Sequence, residues 1–383
     1  MLAGSRPRVA LALLAVAQVV AWGALYYAVL VAAPAIATET GWDEQSIFLA
    51  VTGGLMVSAA CGVVVGRWLD ARPRVVMVVG AVASGGALLC AAAAQDVLVF
   101  AAAWLLVGAA QSAVLYQAVF TVITHRYRGA RHGPLTIVTL AGGLASTIFA
   151  PLTAALVDVF GWRITFAILA GLITLVVVPI YTIAIEDGWE PIVETRSAED
   201  STGVLSSARF WLLGLSFATM SFALYAVTLS AVPAYLEKGL DLQAAAWVLG
   251  VIGAGSVLGR LVYLALPHAA APWVATVAVG LAGAVALAGF GAAQGTVGIF
   301  LAAVITGALR GVHTLVQASA ISDRWGHAQY GRLNGALALP VIALTALAPG
   351  AASAIAGAMG SYQALAFAMA ALCGVGGLLA VRR

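Results

Sequence analysis

Long apolar runs, separated by short stretches of charged residues, glycine and proline, recur from one end of the chain to the other. About 20 mostly apolar residues cross a bilayer as a helix, and every run is at least that long. None shows the period-two alternation over ~10 residues that a transmembrane barrel requires. The pattern predicts twelve spanning helices, near 9–37, 45–67, 74–94, 97–124, 133–157, 162–185, 209–236, 243–266, 272–292, 296–322, 331–357 and 361–381. The one substantial polar interval, EDGWEPIVETRSAEDSTGVLSS at 186–207, sets six acids against Arg196 and reads as a solvated linker. The expected organisation is an N-terminal six-helix bundle over 1–185, a cytoplasmic linker over 186–208 and a C-terminal six-helix bundle over 209–383.

Composition agrees with an all-α integral membrane fold. Of 383 residues, 63% are hydrophobic and 9% charged, with Lys238 the sole lysine; a soluble globule carries about 25% charged residues. The first run extends to about Ile36, too long for the core of a cleavable signal. Cys61, Cys90 and Cys373 fall inside apolar runs and are expected to be small buried side chains, not disulfide partners or metal ligands. No cofactor or metal site is expected.

Basic residues set the orientation, because Lys and Arg stay on the cytoplasmic side. With the N-terminus inside, the inner side carries Arg6, Arg8, Arg67, Arg72, Arg74, Arg126, Arg128, Arg131, Arg196, Arg209, Arg324, Arg332, Arg382 and Arg383, and the outer side only Arg163 and Lys238. Both termini are therefore expected in the cytoplasm, in a bacterial-type inner membrane. The net charge of +3 reflects this bias and gives no reason to expect nucleic-acid binding.

The two halves repeat. GALYYAVLVAAPAI (23–36) matches FALYAVTLSAVPAY (222–235), pairing Tyr26 with Tyr225 and Pro34 with Pro233. VGAAQSAVLYQA (107–118) answers TGALRGVHTLVQA (306–318), setting Gln111 opposite Arg310. CGVVVGRWLD (61–70) pairs with GSVLGRLVY (255–263), and APLTAALVDVFGW (150–162) with APGAASAIAGAMGSY (348–362). Duplication of a six-helix unit is the arrangement that places a substrate site between repeats near the bilayer midplane.

These features resemble a major facilitator superfamily transporter over essentially the whole chain. Gly66-Arg-Trp-Leu-Asp70-Ala-Arg72-Pro-Arg74 resembles the family's gating loop, in which an aspartate at a helix end pairs with nearby arginines. Asp158 followed by Gly161-Trp162-Arg163 resembles its turn between the fifth and sixth spans. Within the superfamily the likeness is greatest to the monocarboxylate and oxalate–formate group. It rests on Gly41-Trp42 after a tyrosine-rich first span, on Arg260 in the eighth span, and on the YGRLNG…P…AP…GSY pattern of 330–362. The resemblance implies that Arg260 faces a carboxylate.

Two charged residues, Arg260 and Arg310, lie well inside the spans. Each costs about 2.5–3.5 kcal/mol at a helix centre even on the lenient insertion scale. Arg310 belongs to one polar stripe with Thr306, His313, Thr314 and Gln317 at helical spacing. Ser256, Arg260 and Tyr263 align likewise on the eighth span, Ser221, Tyr225 and Thr228 on the seventh, and Asn334 and Thr345 on the eleventh. Such stripes are expected to meet around water, where two guanidinium forks would receive a small anion. His313 is the candidate for coupling anion and proton movement. Tyr26, Tyr225, Gln111, Gln317, Ser256 and Asn334 complete the expected lining.

The expected function is secondary active transport of a small organic anion, probed first as a carboxylate, by a chain able to work as a monomer with a proton or a counter-anion as coupled species. The alternatives are a multidrug or cation exporter of the same fold, a non-transporting sensor, and a membrane-embedded enzyme. A cation carrier wants a deep carboxylate, which the spans lack; hydrolytic or metal chemistry wants clustered ligands, and of five histidines only His313 is deep. No glycine-rich loop ending in Lys-Ser/Thr is present to drive transport with ATP.

Overall fold

The computed structural model describes residues 6–126, 132–185, 201–265, 271–325 and 330–380. Among these residues all regular structure is helical. The twelve main helices are α1 (6–40), α2 (Glu44–Ala71), α3 (Pro73–Ala93), α4 (97–126), α5 (132–160) and α6 (162–184), then α7 (208–236), α8 (Leu242–Ala265), α9 (Pro272–Ala292), α10 (Gly295–Trp325), α11 (Tyr330–Met359) and α12 (Tyr362–Leu379). Each corresponds to one predicted span. Among the described residues, eleven continuous stretches are long and apolar enough to cross a membrane, and one of them, Gly133–Ala184, runs for 52 residues. At ~1.5 Å per residue that is far longer than one ~30 Å crossing. Its backbone turns at Gly161, where φ is 74°. A left-handed turn of this kind suits a residue without a Cβ, so the stretch supplies both α5 and α6.

Local chemistry sets the helix starts. Asp96 accepts hydrogen bonds from the amides of Leu98 and Val99 at 3.0 and 2.9 Å, opening α4. Ser361 accepts one from Ala364 at 3.0 Å, opening α12. Proline at the first position opens both α3 and α9.

The chain divides into two compact units: residues 1–193 with 242–250, and residues 194–241 with 251–383. In the first, the beginning of α8 is tied to α5 by Thr147 Oγ1 donating to the Gly250 carbonyl (2.9 Å) and Gln243 Nε2 donating to that of Pro151 (3.2 Å).

The sequence repeat is also a packing repeat. In the first unit a methyl group at Gly108 of α4 would collide with the Gly54 carbonyl of α2. In the second, methyl groups at Gly307 and Gly311 of α10 would collide with the carbonyls of Ile252 and Ser256 on α8, and one at Gly259 with that of Ala308. Gly108 and Gly307 are 199 residues apart. Gly255/Gly259 and Gly307/Gly311 are two facing Gly-x-x-x-Gly stripes that let the backbones touch, the contact that replaces the hydrophobic effect between helices in lipid.

A second correspondence lies at the ends of α3 and α9. In the first unit Arg163 Nη1 donates to the carbonyls of Ala92 (2.8 Å) and Ala94 (2.7 Å), while its Nε meets Glu39 at 3.3 Å. In the second unit Lys238 Nζ donates to Gly291 (2.6 Å) and Ala293 (2.8 Å). These carbonyls again lie 199 residues on. A helix C-terminus carries unsatisfied carbonyls and partial negative charge. Both units therefore clamp the same two carbonyls with a cation, drawn from the start of α6 in one and from the turn just after α7 in the other. These are the two cations predicted for the outer side. Burial lowers the Lys238 pKa, with Glu237 opposing the shift.

One sequence expectation fails among the cysteines. Cys373 is buried, but Cys61 is only half-buried and Cys90 is exposed on the same helix as Val79, Val82 and Leu89. An outward face of a spanning helix meets lipid, so an apolar run does not imply burial in protein.

Candidate functional site

The stripe on α10 folds against α7 and α8 within the second unit. Arg310 is 5% exposed. Its Nη1 donates to Thr228 Oγ1 at 3.1 Å, and Thr228 Oγ1 in turn donates to the Leu224 carbonyl at 2.8 Å. The guanidinium carbon stands 5.3 Å from the centre of the Tyr225 ring, on the same face of α7. A hydroxyl that accepts on one side and donates on the other thus links Arg310 to the α7 backbone, and an aromatic face covers the cation.

One turn further along α10, about 6 Å by the helical rise, Thr314 Oγ1 accepts from Arg260 Nε at 3.3 Å and donates to the Gly311 carbonyl at 2.7 Å. The two arginines, separated by 50 positions in sequence, are brought to successive turns of one helix. Gly259 and Gly311, immediate neighbours of Arg260 and Arg310, are the positions where α8 and α10 pack too tightly for a methyl. The glycine stripes therefore hold the two guanidinium-bearing helices together. Ser256 is buried at this crossing, while Gln317 is half-buried at the next turn of α10. The side chain of Asn334 lies outside the described residues. His313 is fully buried, its ring meeting Phe217 of α7 edge to face at 5.7 Å.

In the first unit Gln111, the repeat partner of Arg310, makes the corresponding link directly. Its Nε2 donates to the Leu25 carbonyl at 2.7 Å. Leu25 lies in a π-turn, Gly23–Tyr27, that loosens α1, and π-turns leave carbonyls in need of partners. Leu25 and Leu224 are themselves repeat partners. Both units therefore fasten the same helix crossing at the same backbone position, by an amide in one and by arginine through threonine in the other. Tyr26 is buried, packed edge-on against Trp22 (5.2 Å) and Tyr27 (5.1 Å).

Sequence reasoning missed a second polar tie in the first unit. α4 breaks at Leu115, where ψ reaches −167°. The Val114 carbonyl before the break accepts from Tyr181 Oη (2.7 Å) and Gln18 Nε2 (2.8 Å), and Gln18 also donates to Tyr181 at 3.1 Å. Gln18, a lone amide among apolar residues of the first span, was the signal available in the sequence.

Of the gating loop, Arg72 is exposed and ends α2 with its amide donating to the Trp68 carbonyl at 2.8 Å. Arg74 opens α3 half-buried, and a methyl at Gly66 would meet open space. The side chain of Asp70 lies outside the described residues.

Residues 14–339 match the Major Facilitator Superfamily. The fold is shared with a bacterial homologue of the human lysosomal transporter Spinster, solved in an inward-facing and occupied conformation, at 14% identity and TM-score 0.77 over 97% of this chain and 95% of that one. It is shared equally with the nucleoside transporter NupG, at 14% identity and TM-score 0.78 over 97% and 98%. No curated protein matches the sequence. At such identities the solved structures establish the fold alone, whereas the family match spans most of the chain. The chain belongs to the major facilitator superfamily of membrane transporters.

Proposed function

We propose that the protein is a secondary carrier of a small organic anion, in the first place a carboxylate, working by alternating access with Arg310 as its principal anion-binding residue. The observation that carries this reading is a guanidinium only 5% exposed at mid-span, set against a threonine hydroxyl and a tyrosine face. A guanidinium stays charged at any working pH, and burying that charge is costly. The planar guanidinium fork of Arg310 matches a carboxylate bidentately.

Arg260 on the adjacent turn adds a second positive centre, in keeping with the resemblance to monocarboxylate and oxalate–formate carriers. The acids of the second half, Glu237, Asp241 and Asp323, all stand near helix ends, which disfavours a cationic cargo. Tyr225, Ser256 and Gln317 in the second unit, with Tyr26 and Gln111 in the first and Asn334, are assigned supporting roles. The 66–74 loop serves as the gate. The basic-residue distribution supports cytoplasmic termini in a bacterial-type inner membrane, and one chain containing both repeats suffices as a monomeric carrier.

The test is uptake into liposomes holding the purified protein, with labelled lactate, oxalate, succinate, glycerol phosphate and tetraphenylphosphonium offered in turn. Uptake of at least one anion, reduced in Arg260→Ala with folding intact, is the expected result. Transport of the organic cation alone would reverse the assignment.

A further inference from the structure

His313 is the buried titratable group that anion binding at Arg310 leaves unexplained. Its side chain has no exposed surface, and among the described residues neither Nδ1 nor Nε2 has a hydrogen-bond partner. An imidazole always bears at least one N–H, and its second nitrogen either accepts or donates. Leaving both unsatisfied is unfavourable, and a buried polar group without a protein partner calls for an explanation.

The repeat supplies an internal comparison. The position equivalent to His313 in the first unit, 199 residues earlier, is Val114. Its neighbour across the crossing is Gln18, the counterpart of Phe217. The first unit thus has the polar side chain on α1 and an apolar one on α4, and the second reverses them. An apolar residue at this level is compatible with the crossing, so packing does not require a histidine here.

The charges around the ring are few. On its own helix Arg310 lies one turn away. From α7 comes Tyr225 as the titratable group; from α8, Arg260 and Tyr263; α9 contributes none, and α11 contributes none from Leu333 to Met359. No carboxylate of these helices shares this depth, the nearest on α10 being Asp323, about 15 Å along the axis. A proton arriving on His313 would place a second positive charge beside Arg310. An anion held by Arg310 removes that repulsion, and the proton on His313 strengthens the hold on the anion.

We infer that His313 is the proton-carrying residue of the carrier, binding one proton together with the anion at Arg310, so that a singly charged anion and its proton cross as an electroneutral pair. No covalent bond changes: the proton enters on an imidazole nitrogen and leaves from it when the anion departs. The complete burial of the ring fits a site closed to water between loading and release. This inference rests on the anion reading above, and the two are separable by experiment.

The experiment uses full-length protein in liposomes containing a pH-sensitive dye, with the best-transported anion of the lactate, oxalate, succinate and glycerol phosphate panel. Anion exchange at equal pH on both sides reports binding and translocation of the anion alone. Net uptake driven by a pH gradient, with acidification of the lumen, reports coupling. In the parent, anion entry should acidify the lumen, and an inward proton gradient should accelerate uptake. His313→Gln should lose about tenfold or more of the gradient-driven uptake together with the acidification, and the exchange it retains, weakened by loss of the proton's contribution to anion binding, should no longer respond to pH. His313→Val, which installs the residue of the first unit, should behave alike and guards against a folding defect peculiar to glutamine. The inference is overturned if parent anion entry moves no protons, or if either variant retains parent-like acidification. Absence of anion exchange by the parent itself would instead remove the anion reading, and the inference with it.

Discussion

The glycine contacts between α8 and α10 give the most quantitative prediction. A methyl group at Gly255 would lie 2.5 Å from the Val304 carbonyl oxygen and 3.1 Å from the Val304 Cα. Ordinary contact needs about 3.4 Å or more, so α10 must retreat by roughly 1 Å at this level. The obstacle is backbone, which has no rotamer to yield. Overpacking of this kind costs about 1–3 kcal/mol. Alanine in a helix interior gains about 0.5–1 kcal/mol over glycine, which leaves Gly255→Ala less stable by about 1 kcal/mol at the middle of these ranges. Gly289 on α9 is the control, since an added methyl there meets nothing within 4 Å. Gly289→Ala should be neutral or slightly stabilising. The assay is the apparent melting temperature of purified protein in detergent, followed by the monodisperse fraction left after heating. Gly255→Ala should melt several degrees below Gly289→Ala and show lower anion uptake, because the same crossing holds Arg260 and Arg310. Equal melting of the two variants would refute the claim that backbone contact sets this helix spacing.

Two further perturbations follow from the polar ties. Tyr181→Phe removes one of two donors to the Val114 carbonyl and should cost about 1 kcal/mol. Adding Gln18→Leu leaves that carbonyl without either tie, so the double variant should lose more stability than the sum of the singles; strict additivity of melting shifts would contradict a shared partner. Lys238→Ala should destabilise by about 1.5–3 kcal/mol through the lost charged hydrogen bonds to Gly291 and Ala293. Lys238→Arg should recover most of that loss, whereas equal loss in both variants would point to packing of the alkyl stem.

Much of this architecture is legible in the residues because lipid demands a simple code. Long apolar runs, charges at their ends and a repeat of about 199 residues identify the helices and the internal duplication, although the first turns of α8 pack with the first unit. The 52-residue stretch 133–184 is an instructive case: Gly161-Trp162-Arg163 marks a turn in sequence, although the backbone around it remains helical enough to read as one element. What stays hidden depends on which side of a helix meets protein. Cys90 reads like Cys373 in composition yet faces outward. The break at Leu115 carries no glycine or proline and becomes intelligible only when Tyr181 and Gln18 are seen to satisfy the Val114 carbonyl.

The site divides along the same line. Helical spacing placed Arg310, His313 and Thr314 on one stripe and Tyr225 with Thr228 on another, and the structure joins these stripes through the Arg310–Thr228 bond. It also joins Arg260 to the α10 stripe through Thr314. The stripes were expected to meet around water, whereas Thr306, Arg310, His313, Ser221, Thr228 and Ser256 are all buried. Period alone cannot distinguish a polar face turned to water from one turned to a neighbouring helix. Phe217, which packs on His313, carries no polar signal at all and could be found only from the fold.

The central claim is that the buried guanidinium of Arg310 binds the transported anion, and uptake by Arg310→Ala and Arg310→Lys beside the parent tests it most directly. In liposomes with matched amounts of monodisperse protein, Arg310→Ala should lose at least about tenfold of labelled carboxylate uptake, as expected when one partner of a buried charged contact is removed. Arg310→Lys, which keeps the charge and loses the fork, should fall between. Parent-like carboxylate uptake by Arg310→Ala would contradict the account.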